Sequence, residues 1–237
     1  ITDLAKEFFE INGDKYIKSS FEERKKALVD FALPKNINRM KEDMKKYKII
    51  YDNWFYESTL HESGEVKRII DLLTKNGYTY EKDGCLWYKS TAFGSEKDDV
   101  LVRKNGIPTY FAADIAYHYN KFITRKFDTC IDILGADHHG HVERTKGSME
   151  ALGISRDRLY VLLVQMVRLL KNGELVRMSK RTGKAVQLSD LIDEVGADAA
   201  RFIFNMHEAN SGMDFDLDLA VKQDSQNPVY YVQYAHA

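Results

Sequence analysis

The chain has 237 residues, 44% of them apolar and 12% aromatic, with only 3 prolines and 14 glycines. That composition excludes collagen-like, disordered and low-complexity classes and supplies enough apolar surface for a sizeable core, in one large domain or two small ones at roughly 150 residues per domain. With 35 basic and 36 acidic residues the formal charge is −1, so bulk electrostatics announce neither a nucleic-acid nor a membrane partner, and any such contact needs a local patch.

The most apolar stretch, Leu159 to Val167, is broken by Gln165 and closed by Arg168, well short of the ~20 apolar residues of a membrane helix. The chain begins Ile1-Thr2-Asp3-Leu4 without Met, a basic run or an apolar run, which is read as no signal peptide and a hint of a cut piece. The two cysteines, Cys85 and Cys130, make neither a disulfide framework nor a CxxC metal knot, and a reducing cytoplasm is expected.

In chain order, residues 1 to about 80 are dense in Lys and Glu, and Phe21, Leu28 and Phe31 recur at helical spacing, so a mostly helical segment is expected, interrupted at Pro34. Asn76-Gly77 and Asp83-Gly84 punctuate a change to short strands around Tyr78 to Tyr80 and Leu86 to Tyr88. Asp99 to Arg103 reads as a strand, Asn105-Gly106 as a turn, and Thr109 as the N-cap of a helix from Tyr110 to about Phe122. Thr129 to Leu134 reads as a strand running into Gly135, and Val142 to Leu152 as a helix closed by Gly153. Tyr160 to Leu170 reads as a buried strand reaching Asn172-Gly173, a strong two-residue hairpin signal, with Glu174 to Met178 as the return strand. Ser189 is placed as the cap of a helix over Asp190 to Val195, and a second helix from about Asp198 to His207. Alternation of β and α predicts an α/β domain with a mainly parallel sheet, whose ligands sit beyond the carboxyl ends of the strands.

Three constellations could carry chemistry. Arg177-Met178-Ser179-Lys180-Arg181-Thr182-Gly183-Lys184 packs four cations, hydroxyls and a glycine after the hairpin, suited to charge growing on a leaving polyphosphate; the alternative is a solvated basic loop. Gly135-Ala136-Asp137-His138-His139-Gly140-His141 stands where a strand meets a helix, the usual crevice for a nucleotide phosphate or ribose. There Asp137, His138 and His141 could instead ligate a metal such as zinc, or Asp137 could merely cap. Tyr110 and Asp114, at i and i+4, share a helix face on which a phenol and a carboxylate could hold a cation, although an acidic residue early in a helix is also favoured by the dipole alone.

Together, and in this order, these stretches resemble the catalytic domain of bacterial-type arginyl-tRNA synthetases, a class I aminoacyl-tRNA synthetase family. The resemblance also takes in Tyr51 to Ser58, Leu86-Trp87, Thr91-Ala92-Phe93-Gly94, Lys97 to Val102, Thr109 to His118 and Asn227 to His236. It implies the later half of a Rossmann-like, HUP-type nucleotide-binding domain with a mixed insertion and C-terminal helices. The expected division is an insertion over 1–95, the catalytic portion over 96–185, a helical stem-contact segment over 186–226 and the start of an anticodon-binding domain over 227–237. The implied reaction activates L-arginine with ATP, carrying Mg2+, to arginyl-adenylate and transfers arginine to tRNA(Arg); members of the family tend to need bound tRNA for the first step. By the resemblance Lys180, with Ser179 and Arg177, would serve the pyrophosphate in the KMSKS-type loop, where Arg177 replaces the usual Lys. Gly135, Asp137, His138, His141, Met166, Val167 and Met178 would bind ATP, and Tyr110 and Asp114 would bind arginine. No tightly held metal and no membrane are implied. No HIGH signature precedes the Tyr110 to Asp114 helix, and His138-His139-Gly140-His141 comes too late to be one, so the expectation is a fragment inactive by itself. The alternatives are a non-catalytic paralogue that binds nucleotide or arginine, and a metal-dependent hydrolase using Asp137, His138 and His141.

Overall fold

The computed structural model describes residues 1–176 and 186–237. Ten helices occur among them: α1 (Thr2–Asn12), α2 (Phe21–Lys46), α3 (Glu57–Glu62), α4 (Glu65–Lys75), α5 (Tyr110–Tyr119), α6 (Val142–Ala151), α7 (Leu188–Val195), α8 (Ala197–Asn205), α9 (Leu217–Val221) and α10 (Pro228–His236). The strands are β1 (Thr79–Lys82), β2 (Cys85–Tyr88), β3 (Asp99–Val102), β4 (Cys130–Gly135), β5 (Leu159–Val164), β6 (Val167–Lys171), β7 (Glu174–Leu175) and β8 (Met213–Asp216). None of the described helices is long and apolar enough to cross a membrane. The chain divides into two compact units, one of residues 53–168 with 207–215, the other of residues 1–52, 169–206 and 216–237.

The first unit carries the core. Ile69, Leu73, Tyr88, Leu101, Ile115, Met149 and Leu159 are among its fully buried members, drawn from α4, β2, β3, α5, α6 and β5. The strands β1, β2 and β3 form an antiparallel sheet, and β4 lies parallel to β5 with Cys130 opposite Leu159 and Gly135 opposite Val164. The connection β4, α6, β5 is a parallel crossover, whereas the β6–β7 hairpin is antiparallel, and the sheet that holds β4 has two strands where a larger, mainly parallel one is expected from the sequence. Thr109 does cap α5: its Oγ1 accepts from the Ala112 N–H at 3.4 Å and donates to the Val100 carbonyl at 2.7 Å, tying the helix start to β3. Gly147 on α6 lets the turn after β2 approach, for a Cβ there would lie 2.7 Å from Phe93 Cβ, and the buried Tyr88 hydroxyl donates to the Gly147 carbonyl at 3.1 Å.

The sequence suggests one strand from Tyr160 to Leu170, but the structure breaks it after Val164, where the Gln165 N–H leaves the ladder and donates to the Ala209 carbonyl at 2.8 Å. Nor is that strand buried on both faces: Ile131 and Ile133 of β4 are 67% and 68% exposed, beside the exposed Tyr160 and Leu162 of β5.

In the second unit α1 and α2 pack through Phe8, whose ring meets Phe31 edge-on at 5.3 Å. Pro34 does not interrupt the helix; α2 runs straight through it. The helix starts on a capping box of Ser20 and Glu23 and carries Glu22 and Glu23 in its first turn, Lys45 and Lys46 in its last, terms that offset the missing Pro34 N–H. The hairpin at Asn172-Gly173 pairs Leu170 with Leu175 and Lys171 with Glu174. Ser189 is not the cap expected of it: α7 begins at Leu188, with the Gln187 N–H donating to the Asp190 carboxylate at 2.9 Å. Asn227 caps α10 and donates to the carbonyls of Ala220 and Lys222.

Candidate active site

The site lies in the unit of residues 53–168, where α5 passes the carboxyl end of β4 and the turn into α6. Asp114 sits one turn into α5, half-buried, and lines a cavity of about 180 Å3 with His118, Asp132, Leu134, His138 and His141. Among the described residues its carboxylate has no hydrogen-bond partner. Burial raises its pKa, opposed by the charges of His118, His141 and Arg144 and reinforced by Glu57. An unpaired, partly desolvated carboxylate at the wall of a cavity is poised for a cationic ligand.

The second carboxylate of the cavity is satisfied. Asp132 comes from the middle of β4 and takes His118 Nε2 at 2.5 Å and Lys121 Nζ at 2.8 Å. Burial pushes its carboxyl up, but those two hydrogen bonds and charges win and bring it down to about 2. His118 closes the bridge to α5, with Nδ1 at 2.7 Å from the Asp114 carbonyl oxygen.

Gly135 to His141 leaves β4 as a 3-10 turn, Ala136–His141, before α6 starts at Val142. A Cβ on Gly135 would come within 2.6 Å of Asp137 Oδ1, the end of an exposed side chain that can swing aside, and the extended backbone of Gly135 (φ −64°) is open to any residue. Asp137 is exposed, and the His138 and His141 rings meet edge-on at 5.2 Å. On the other side of the turn a wider cavity of about 620 Å3 is lined by Lys97, Asp99, Asp137, His139, His141 and Arg144. Arg144 donates to Asp99 at 2.7 Å and to the His141 ring at 2.7 Å, and its guanidinium lies 4.6 Å from the centre of the Phe111 ring. Burial, then the neighbouring Arg144 charge, lowers the His141 pKa, which suits a ring accepting from a guanidinium. No group of three or more His, Cys, Asp or Glu among the described residues is arranged to hold a metal ion.

The structure thus brings Asp114, His138 and His141 to one cavity and Asp137 and His141 to the next. Tyr110 does not join Asp114 there: it is 76% exposed, with the Arg103 guanidinium 5.9 Å from its ring centre. Met166 lies exposed in the break between β5 and β6, and Val167 opens β6. Arg177, Met178, Ser179 and Lys180 lie outside the described residues. Sequence reasoning passed over Asp132, Lys121, Arg144 and Asp99; the signal for Asp132 was a charge in the centre of the apolar run Cys130-Ile131-Asp132-Ile133-Leu134.

The family described as tRNA synthetases class I (R), catalytic domain, matches residues 5–223. The chain belongs to this family. Over 237 residues it is 62% identical to the arginine–tRNA ligase of Caldanaerobacter subterraneus subsp. tengcongensis and 60% identical to that of Ruminiclostridium cellulolyticum, covering all of this chain and 42% of each relative. The chain therefore spans about two fifths of the length of these relatives, at 42%. Among solved structures, a Campylobacter jejuni chain described as an arginyl t-RNA synthetase superimposes with a TM-score of 0.89 at 40% identity, over 99% of this chain and 50% of that one. The Thermus thermophilus arginyl-tRNA synthetase, at 18% identity and a TM-score of 0.70, shares the fold. The Rossmann-like class I catalytic fold expected from the sequence is the fold of this family.

Proposed function

We propose that this chain forms the later part of the active site of an arginine–tRNA ligase, which activates L-arginine with ATP and passes the arginyl group to tRNA(Arg). The observation that carries the substrate is the unpaired Asp114 carboxylate at the cavity below the end of β4; membership of the family carries the reaction. In the first step a carboxylate oxygen of arginine attacks the α-phosphorus of ATP, the bond to the bridging oxygen breaks, and pyrophosphate leaves with Mg2+ as part of the substrate complex. In the second, a hydroxyl of the 3′-terminal ribose attacks the arginyl carbonyl and AMP leaves. Little covalent help from side chains is needed; positioning and charge stabilisation suffice.

In this reading Asp114 takes the guanidinium in a charge-assisted pair that rejects uncharged side chains, with Tyr110 at the rim. Gly135, Asp137, His138 and His141 meet the ribose and phosphates, Met166, Val167 and Met178 the adenine side, and Lys180 with Ser179 and Arg177 the pyrophosphate. The enzyme works in the cytoplasm and engages no membrane. In a full-length enzyme carrying this sequence, Asp114→Asn should raise the KM for arginine by about a hundredfold or more, the cost of leaving one partner of a buried charge pair unmatched. Charging of tRNA(Arg) with arginine, measured beside the variant, checks it; an unchanged KM, or charging with another amino acid, overturns the reading.

A further inference from the structure

In the wall of the Asp114 cavity, and reaching from it to Lys121, lies a buried polar cluster. His118, Lys121 and Asp132 have side chains only 9%, 15% and 14% exposed. The Asp114 carbonyl oxygen can only accept, so His118 Nδ1 carries a hydrogen toward it; the Asp132 carboxylate, which Lys121 also holds, accepts from Nε2. The ring thus joins α5 to β4, with one nitrogen on each. Lys121 is fixed in turn, its Nζ 4.4 Å from the centre of the Tyr117 ring, which stacks on Phe55 at 4.4 Å.

Stability alone is a poor reason for such a cluster. Buried ion pairs seldom outperform well-packed apolar residues of similar size, because desolvation consumes most of the attraction. What the cluster does give is geometry. It binds the very residue whose carboxylate faces the cavity, through its main chain, to a strand that three residues later reaches Gly135, where the turn of Asp137 and His138 begins. The cavity is bounded by Asp114, His118, Asp132 and His138 together, so a shift of α5 along β4 would alter the distance between its two ends.

We propose that His118 is a positioning residue: by bridging the Asp114 carbonyl to Asp132 it sets the Asp114 carboxylate at a fixed distance from the nucleotide turn at Gly135, so that bound arginine presents its carboxylate to the α-phosphate. This rests on the arginine reading of Asp114. The position of the hydrogen bonds allows a sharp test, since the amide of Gln reaches where Nε2 is and the amide of Asn reaches where Nδ1 is. His118→Gln keeps the link to β4; His118→Asn keeps only the bond within α5.

The experiment is steady-state arginylation of tRNA by the full-length enzyme carrying His118→Gln, His118→Asn, His118→Ala or Asp114→Asn, with KM for arginine, KM for ATP, kcat and melting temperature for each. The expected result is a KM for arginine raised about tenfold in His118→Asn and His118→Ala, equivalent to about 1.4 kcal/mol, and less than about threefold in His118→Gln, with the KM for ATP nearly constant. If Gln and Asn are equally impaired, if the KM for arginine is unchanged in both, or if losses follow melting temperature alone, His118 has no positioning role. Should His118→Ala fail to fold, the Gln and Asn pair decides by itself. An unaffected Asp114→Asn overturns both this inference and the arginine site beneath it, whereas an impaired Asp114→Asn with an indifferent His118 series overturns the inference alone.

Discussion

Asp114 and Asp132 share a cavity and are driven in opposite directions, Asp114 upward by burial without a partner, Asp132 down to about 2 by His118 and Lys121 against its own burial. Such a divergence separates a carboxylate without a hydrogen-bond partner among the described residues from one held in a hydrogen-bonded cluster. Its consequence for stability has a definite sign. Because the folded Asp132 carboxyl is depressed below its unfolded value, its contribution is fully present above about pH 4 and is lost as pH falls toward 2; it is worth on the order of 2 kcal/mol. Asp114, raised on folding, works the other way and offsets part of that loss on acidification. Urea denaturation at pH 5 and pH 2.5 should therefore find wild type losing more stability between the two than Asp132→Asn, and equal losses would refute the assignment. At this scale the sequence was half legible. The place of Asp114 on α5 follows from the helical pattern of the sequence, but Tyr110, expected beside it, lies outside the cavity, since helical spacing gives a common face and not a common depth. Asp132 shows in the sequence only as a charge inside an apolar run, because the partners that explain it, His118 and Lys121, come from another part of the chain.

Elements announced by local chemistry appear where the sequence places them: the Thr109 cap, the Asn172-Gly173 hairpin, the strand into Gly135 and the Gly153 end of α6, where Gly153 has φ of 78°. Those set by distant partners do not. The break at Gln165 depends on the Ala209 carbonyl, and the passage of α2 through Pro34 on charges and a cap that lie at its two ends. Gly147 belongs to the same class: nothing around it in sequence says that Phe93 will press against it. Gly147→Ala should destabilise the protein by about 1 to 3 kcal/mol through overpacking, despite the better helix propensity of alanine. A chemical denaturation midpoint measures it, and a stabilised variant would show that Phe93 yields freely.

For the molecule as a whole, the feature with most consequence is the bare face of the parallel pair. Cys130, Leu159 and Val161 turn to the core, while Ile131, Ile133, Tyr160 and Leu162 turn to solvent, and parallel sheets are ordinarily covered on both faces. A patch of this kind should bind an apolar dye such as anilinonaphthalene sulfonate in the isolated chain. Ile133→Lys with Tyr160→Lys should lower the dye fluorescence severalfold while changing stability by less than about 1 kcal/mol, as substitutions at exposed positions do. Undiminished fluorescence would place the dye elsewhere. The apolar composition of these strands was legible; which alternate residues stay uncovered was not, because that depends on how many neighbours the sheet has.

The long helix α2 follows different rules from the rest. It spans 26 residues and fully buries none of them, so beyond the contact of Phe31 with Phe8 and surface pairs such as Lys46 with Asp193 its order rests heavily on its own hydrogen-bond ladder, its cap and pairs such as Lys26 with Asp30. Pro34 stands at its middle and withholds the amide that the Asp30 carbonyl would have used. The cooperative length of the helix is thereby halved, and each half comes close to the ~12–15 residues below which a helix is marginal in water. On warming, α2 should therefore melt by segments and ahead of the buried α4 and α5, and a calorimetric scan should show heat absorbed before the main transition.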